Sequence, residues 1–242
     1  MIFSRIKASY FAVEFLISIL LVVFFMWLFK KHIHGVRKIW GRSQRLFGFY
    51  SLEVVGKFDE CANMIIMNHQ SMLDIVVLEE VYPKNLCWIA KKEIADLPVI
   101  GQIIHVPQMI SVERENKRSL IKLVKDAQDR VEKGRVLAIF PEGTRIRDNH
   151  IRPEIHGGFA LIAQLAGCDV QPTAIFGALD IKRANSPIIR PVKIWALAGE
   201  RISFADLETT KRKDQAREME ELGMDRVYEL RDQLMREHPG RN

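Results

Sequence analysis

Two apolar runs, Met64-Ile65-Ile66-Met67 and Val136-Leu137-Ala138-Ile139-Phe140, constrain the fold of this chain more than any other feature. Each is too short for a buried helix and stops abruptly at polar or turn-forming residues, so each reads as a strand buried on both faces of a sheet. Similar runs at Leu52 to Val55, Leu86 to Ala90, Met109 to Val112, Val170 to Phe176 and Pro191 to Ala196 alternate with helical patterns. That alternation predicts an α/β domain, a mixed sheet flanked by helices, over residues 51–242. The clearest helix runs from Asn116 to Lys133, with Leu120, Leu123, Val124, Ala127 and Val131 on one face and Gly134 as its stop. A last helix, Lys211 to Glu237, carries a few apolar residues among dense charges and reads as a packing helix with a solvated outer face.

The first fifty residues differ in kind. From Ala8 to Phe29 only Glu14 is charged, and as a helix this stretch would span ~33 Å, enough to cross a hydrocarbon core. No small-residue cleavage site follows it, which favours a retained anchor over a signal peptide. From Ile33 to Tyr50, Ile33, Val36, Ile39, Trp40, Phe47 and Tyr50 fall on one helical arc, with Lys38, Arg42 and Arg45 opposite and Arg37 at the border. Such a helix can lie along lipid headgroups or pack its apolar arc on the domain. Residues 1–50 therefore read as a membrane-anchoring helical segment, with the apolar run crossing the bilayer or dipping into one leaflet.

The net charge of +6 is accounted for by Lys30, Lys31, Arg37, Lys38, Arg42 and Arg45, in a stretch without one acid. A basic stripe confined to the end of an apolar run suits an anionic membrane surface and argues against a nucleic-acid partner. Its bias places the main domain on the cytoplasmic side of the cell membrane. The three cysteines, Cys61, Cys87 and Cys168, are scattered through the chain and suggest neither disulfides nor a metal site.

The chemistry is written at the carboxyl ends of the two buried runs. Asn68 to Ser71 forms the loop after the first, where open α/β sheets place ligands. With Ser71 capping the next helix, Asp74 falls in its first turn and can fix the tautomer of His69, which would act as a general base. Seven His and twelve Asp in 242 residues make such a spacing by chance in roughly one chain of this kind in three, so a satisfied loop histidine stands beside this reading. After the second run, Pro141 halts the strand, Gly143 permits close backbone approach, and Glu142, Thr144 and Arg145 present polar groups, in a binding rim or in an ordinary surface loop. Arg145 is suited to bidentate phosphate binding. No Ser or Cys stands in a nucleophile-elbow context, so direct attack by an acceptor is more economical than an acyl-enzyme.

Taken together and in this order, Asn68-His69-Gln70-Ser71-Met72-Leu73-Asp74 and Phe140-Pro141-Glu142-Gly143-Thr144-Arg145 resemble the motifs of the glycerolipid acyltransferase family. The resemblance implies that Glu142 and Gly143 line a glycerophosphate site. The stretch Ile110-Ser111-Val112-Glu113-Arg114 is similar to a family block whose arginine contacts phosphate, which points to Arg114, although Ser111 and Glu113 depart from the usual Phe and Asp. Lys91-Lys92-Glu93, ahead of Pro98 and Gly101, also resembles a family stretch and adds Lys91. A partial match at Val170-Gln171-Pro172-Thr173 adds Pro172, and His156-Gly157-Gly158 stands where a lysine and small residues are common.

The implied reaction moves an acyl group from a thioester, on acyl carrier protein or coenzyme A, to the 2-hydroxyl of 1-acylglycerol 3-phosphate, giving phosphatidic acid. It needs neither metal nor cofactor, because a thioester is already activated, and backbone donors near Gly143 are candidates for stabilising the oxyanion. Another lysolipid acceptor, a metal hydrolase drawing on His69, Asp74, His105, His150, His156 and Glu142, and a non-catalytic lipid-binding protein are the competing readings.

Overall fold

The structure, a computed structural model, describes residues 2–47, 50–113, 117–155, 158–181 and 192–239. The chain opens with α1 (Ile2–Leu28), a 3-10 turn at Lys30–His32, and α2 (Ile33–Leu46). There follow β1 (Tyr50–Val55), β2 (Met64–Met67), α3 (Leu73–Val81), β3 (Leu86–Lys91), the one-turn helices α4 (Lys92–Ala95) and α5 (Gln102–His105), and β4 (Ile110–Val112). The second half comprises α6 (Lys117–Glu132), β5 (Val136–Ile139), α7 (Phe159–Ala166), β6 (Val170–Phe176), β7 (Val192–Ala198) and α8 (Arg212–Glu237).

The strands make one seven-stranded sheet in the order β1-β7-β6-β2-β5-β3-β4. Only β6 against β7 is antiparallel, so the sheet is mixed, as its sequence predicts. Each expected strand is present to within a few residues at either end, with Pro191 outside the described residues. Strand β2 shows why its residues had to be apolar throughout. Ile65 and Met67 enter the core shared with Val76 and Val77 of α3, whereas Met64 and Ile66 enter the one shared with Phe159 of α7 and Met224 and Val227 of α8. A strand covered on both faces has no position for a solvated side chain.

The N-terminal pair of helices combines the two placements that its sequence leaves open. The buried face of α2 is Arg37, Gly41 and Gln44, whereas the apolar arc is split: Ile39 (71%) and the C-cap Phe47 (57%) are exposed, Ile33 and Val36 are half-buried, and Trp40 packs against Phe15 and the core. Tyr50 belongs to β1, not to this helix. Gly41 explains the close approach, since a Cβ there would lie 2.8 Å from the Val76 carbonyl oxygen and 3.0 Å from the Glu80 nitrogen. Two cations of the basic stripe are also turned inward: Arg37 pairs with Glu79 at 2.6 Å and Arg45 with Glu80 at 2.8 Å.

Helix α1 is held to α2 by polar contacts. Trp40 Nε1 donates to Ser18 Oγ (3.2 Å), and Gln44 Nε2 donates to Glu14 Oε1 (3.1 Å), which gives the lone carboxylate of the apolar run its partner. Ile19, Val22 and Met26 of α1 are buried, whereas Leu16, Leu20, Phe24 and Trp27 remain about half exposed. Among the described residues no single helix is long and apolar enough to cross a membrane; Val13–Leu28 and Lys30–Leu46 would do so only as a pair bent by 109°.

Candidate active site

The sheet itself brings the two motifs together. Strands β2 and β5 are parallel neighbours with Ile66 opposite Ile139, so the loops after them leave the same sheet edge side by side. Strand β3 lies on the far side of β5 and ends at Lys91, which adds a third carboxyl end to the same rim.

His69 stands at the tip of β2 and Asp74 in the first turn of α3, where the helix dipole favours a carboxylate. Asp74 is fully buried and its Oδ2 accepts three hydrogen bonds, from His69 Nδ1 (2.9 Å), Gln70 N (2.6 Å) and Ser71 N (2.8 Å). Ser71 does not cap α3 as the sequence suggests: the N-cap position is Met72, without a side-chain cap, and the Ser71 hydroxyl only accepts a long bond from Leu73 N at 3.3 Å. Since a carboxylate only accepts, Nδ1 carries the proton and the lone pair of His69 sits on Nε2. The one carboxylate therefore shapes the loop and sets the tautomer of His69.

Two contacts that no sequence pattern announces complete the setting. The imidazole of His69 stacks on Phe140, with ring centroids 3.9 Å apart and planes at 17°, and Phe140 stacks in turn on Trp88 at 5.3 Å and 21°. Phe140 can do this because β5 ends at Ile139, one residue earlier than expected, which frees its ring to lie over the loop. Beneath the loop, Glu142 is buried; its Oε2 accepts from His69 N at 2.7 Å and its Oε1 from the Tyr228 hydroxyl of α8 at 3.3 Å. Ile146 N also donates to the His69 carbonyl at 2.8 Å, so the backbone of His69 is fixed on both sides. Helix α8, which reads in sequence only as a packing helix, thus reaches the residue that holds the His69 loop.

His69, Lys91, Gly143, Thr144 and Arg145 line one cavity of about 810 Å³, within the size range of ligand pockets. Its walls are otherwise largely apolar and include Ile19, Val22 and Met26 of α1. Gly143 adopts φ +64°, which suits glycine, and its N–H donates to the Phe140 carbonyl at 3.0 Å, so the turn takes up a donor expected to face an oxyanion. Glu142 lies behind the wall of the cavity, as described. Pro172 is not brought to the site: it is buried within β6, opposite Ile66 in the middle of the sheet. Arg114 and His156 lie outside the described residues. Of the groups that could have served a metal hydrolase, His105 is turned away, its Nε2 donating to the Ala95 carbonyl (2.9 Å), and no cluster of three potential metal ligands occurs among the described residues.

Burial pushes the Glu142 carboxyl up to about 7, more than its hydrogen bonds to His69 N and Tyr228 lower it. The folded chain therefore keeps this proton up to about pH 7, whereas the unfolded chain releases it near 4.5. Between those values the native state binds more protons, so stability falls as pH rises, by about 3 kcal/mol once the group is ionised in both states. Glu142→Gln removes that cost, and its amide can still accept from His69 N while donating to the Tyr228 oxygen. The melting temperature of wild type should drop between pH 5 and pH 8 by several degrees more than that of the variant; parallel curves would refute a buried, titrating Glu142.

Comparison with known proteins gives this arrangement a family. The family model described as Acyltransferase matches residues 57–176, which include the His69, Asp74 and Phe140 to Arg145 blocks. The chain is 32% identical over 180 residues to a 1-acyl-sn-glycerol-3-phosphate acyltransferase of Helicobacter pylori, covering 74% of this chain and 76% of that one. It is also 32% identical over 158 residues to a lyso-ornithine lipid O-acyltransferase of Brucella abortus, covering 62% of this chain and 58% of that one. It spans about half the length of the plant relatives that it matches. The crystal structure of the 1-acyl-sn-glycerophosphate acyltransferase PlsC from Thermotoga maritima shares the fold, with a TM-score of 0.68, 19% identity and 95% of each chain covered. The chain belongs to the acyltransferase family that contains the 1-acyl-sn-glycerol-3-phosphate acyltransferases.

Proposed function

We propose that this protein acylates the 2-hydroxyl of 1-acylglycerol 3-phosphate and so forms phosphatidic acid in phospholipid synthesis. The observation that carries this reading is His69, held by Asp74 through Nδ1, on the wall of a mostly apolar cavity with Lys91 and Arg145 also on its lining. Apolar walls suit acyl chains, and the two cations suit a phosphate. The relatives named above act on lysolipids, in agreement with this substrate class.

In the reaction, Nε2 of His69 takes the proton of the acceptor hydroxyl as its oxygen attacks the thioester carbonyl carbon. The imidazolium so formed is stabilised by Asp74 and by the face of Phe140. Collapse of the tetrahedral intermediate breaks the carbon–sulfur bond, and the departing thiolate recovers the proton from His69. Glu142 and Tyr228 hold the loop and touch no substrate. The thioester carrier is acyl carrier protein or coenzyme A; Arg114 and His156 remain candidates for the phosphate end by family resemblance.

The division of labour along the chain follows. Residues 1–50 seat the enzyme on a membrane, and residues 51–242 carry the chemistry. What supports the seat is the row of exposed apolar side chains on α1, among them Leu16, Leu20, Phe24 and Trp27, together with Ile39, Leu46 and Phe47 at α2, a grouping of the kind that marks a membrane or partner surface. The exposed cations Lys30, Lys31, Lys38 and Arg42 border it, and the cytoplasmic leaflet supplies the anionic surface they suit. Replacing Ile39 and Phe47 together by aspartate should reduce flotation with vesicles containing anionic lipid at least tenfold, while acyl transfer to detergent-dispersed substrate persists. Undiminished flotation would remove α2 from the seat.

The assay that tests the function offers acyl carrier protein and coenzyme A thioesters with a panel of lysolipids in detergent. Phosphatidic acid formation is the expected result. The Brucella relative and the residues Ser111 and Glu113, which depart from the family block, favour one alternative acceptor class: acylation confined to amino-acid lysolipids would keep the chemistry and move the substrate.

A further inference from the structure

Two buried charges of the N-terminal half have no part in the reaction as drawn. Arg37 of α2 is only 4% exposed, as is Glu79 of α3, and their side chains line the same cavity as His69. Arg37 Nη1 donates to Glu79 Oε1 at 2.6 Å, and Nη2 donates to Asn85 Oδ1 (2.5 Å) and the Leu86 carbonyl (3.1 Å), so the guanidinium is clamped on both sides. The same Glu79 Oε1 accepts the indole N–H of Trp88 at 2.7 Å. Trp88 then stacks on Phe140, and Phe140 on His69. Five side chains from α2, α3, β3 and the two catalytic loops thus touch in series.

The geometry gives this series a task. Asp74 holds His69 by one edge only, and a ring held by one edge can still tilt about that contact. Phe140 blocks the tilt on one face. Its own position is backed by Trp88, whose indole lies on the cavity wall and is pinned there by the single bond to Glu79. If that bond is lost, the indole can shift toward the cavity and Phe140 with it. We infer that Arg37, Glu79 and Trp88 are positioning residues that hold the plane of the catalytic imidazole, which makes α2 part of the catalytic apparatus as well as of the membrane seat. The inference rests on the reading of His69 as the base.

Trp88→Phe is the informative variant, because it deletes the indole N–H, leaves the Arg37–Glu79 pair intact and keeps an aromatic ring against Phe140. With 1-acylglycerol 3-phosphate and an acyl-coenzyme A thioester in detergent, kcat should fall about tenfold with KM for both substrates unchanged within about twofold. In a Phe140→Leu background the same substitution should cost less than about twofold more, because its route to His69 is already broken. Glu79→Gln keeps an oxygen that accepts from Trp88 and Arg37, and should retain most of the wild-type kcat. A wild-type kcat in Trp88→Phe, a loss that falls on KM and so marks Trp88 as a chain-binding wall, or full additivity with Phe140→Leu would each overturn the inference. Unimpaired transfer by His69→Ala would instead bring down the base and the relay with it.

Discussion

His69→Ala is expected to lower kcat for acyl transfer by about 10³-fold, within the range that a positioned general base contributes. The structure explains why this loss should be chemical. The loop is fixed by Glu142 accepting from His69 N and by Ile146 N donating to the His69 carbonyl, and neither contact needs the imidazole. The side chain is itself 14% exposed and faces the cavity, so its removal enlarges a space that already exists. The melting temperature should therefore stay within a few degrees of wild type, and KM for the lysolipid within about threefold, because the cations at the rim are untouched. Retention of a tenth or more of the wild-type kcat by a well-folded variant would remove His69 from the role of base.

Much of this fold was legible because its determinants are local. A strand covered on both faces must be apolar at every position, and Met64 to Met67 and Val136 to Ile139 obey that rule within a handful of residues. The two motifs follow directly from those strands, so their meeting needed only β2 and β5 to be neighbours. What sequence could not show is long-range and polar. The contact between Tyr228 and Glu142 joins residues 86 positions apart, and a tyrosine on a charged helix gives no sign of reaching a catalytic loop. The stack of His69, Phe140 and Trp88 likewise has no periodic signature, although Phe140 opens the most specific string in the chain.

The orientation of α2 carries the sharper lesson. A helical plot ranks faces by hydrophobicity and leaves open what each one meets. Here the buried face is Arg37, Gly41 and Gln44, and each is there for a contact: an ion pair and a near approach of two backbones against α3, and a bond to Glu14 of α1. A buried ion pair is costly to desolvate and stabilises little beyond an apolar equivalent, but it fixes one arrangement over its alternatives. That arrangement leaves Ile39 and Phe47 exposed, while Trp40 of the same arc packs on Phe15. The proposed membrane seat and the proposed support of His69 would then draw on different faces of one helix.

Asp74→Asn and Asp74→Ala should separate the two tasks of this carboxylate. When an asparagine replaces the aspartate of a Ser-His-Asp triad, the histidine takes the wrong tautomer and about 10⁴-fold in kcat is lost. That outcome requires an amide nitrogen to face the imidazole, and here the backbone opposes it. Gln70 N and Ser71 N both donate to the same Oδ2 that accepts from His69, so an amide turned the other way would set its own N–H groups against two fixed donors. The asparagine oxygen must occupy that corner, with its nitrogen in the place of Oδ1, which is buried and has no hydrogen-bond partner among the described residues. The tautomer survives and only the charge opposite the imidazolium is lost, so kcat should fall by about 10²-fold. Asp74→Ala also removes the acceptor from both loop N–H groups, each costing about 1–3 kcal/mol when left buried and unpaired. Its kcat should fall by a further factor of about ten, with a clear drop in melting temperature. Equal kcat losses in the two variants would show that the asparagine had flipped after all, and that the loop does not enforce the tautomer.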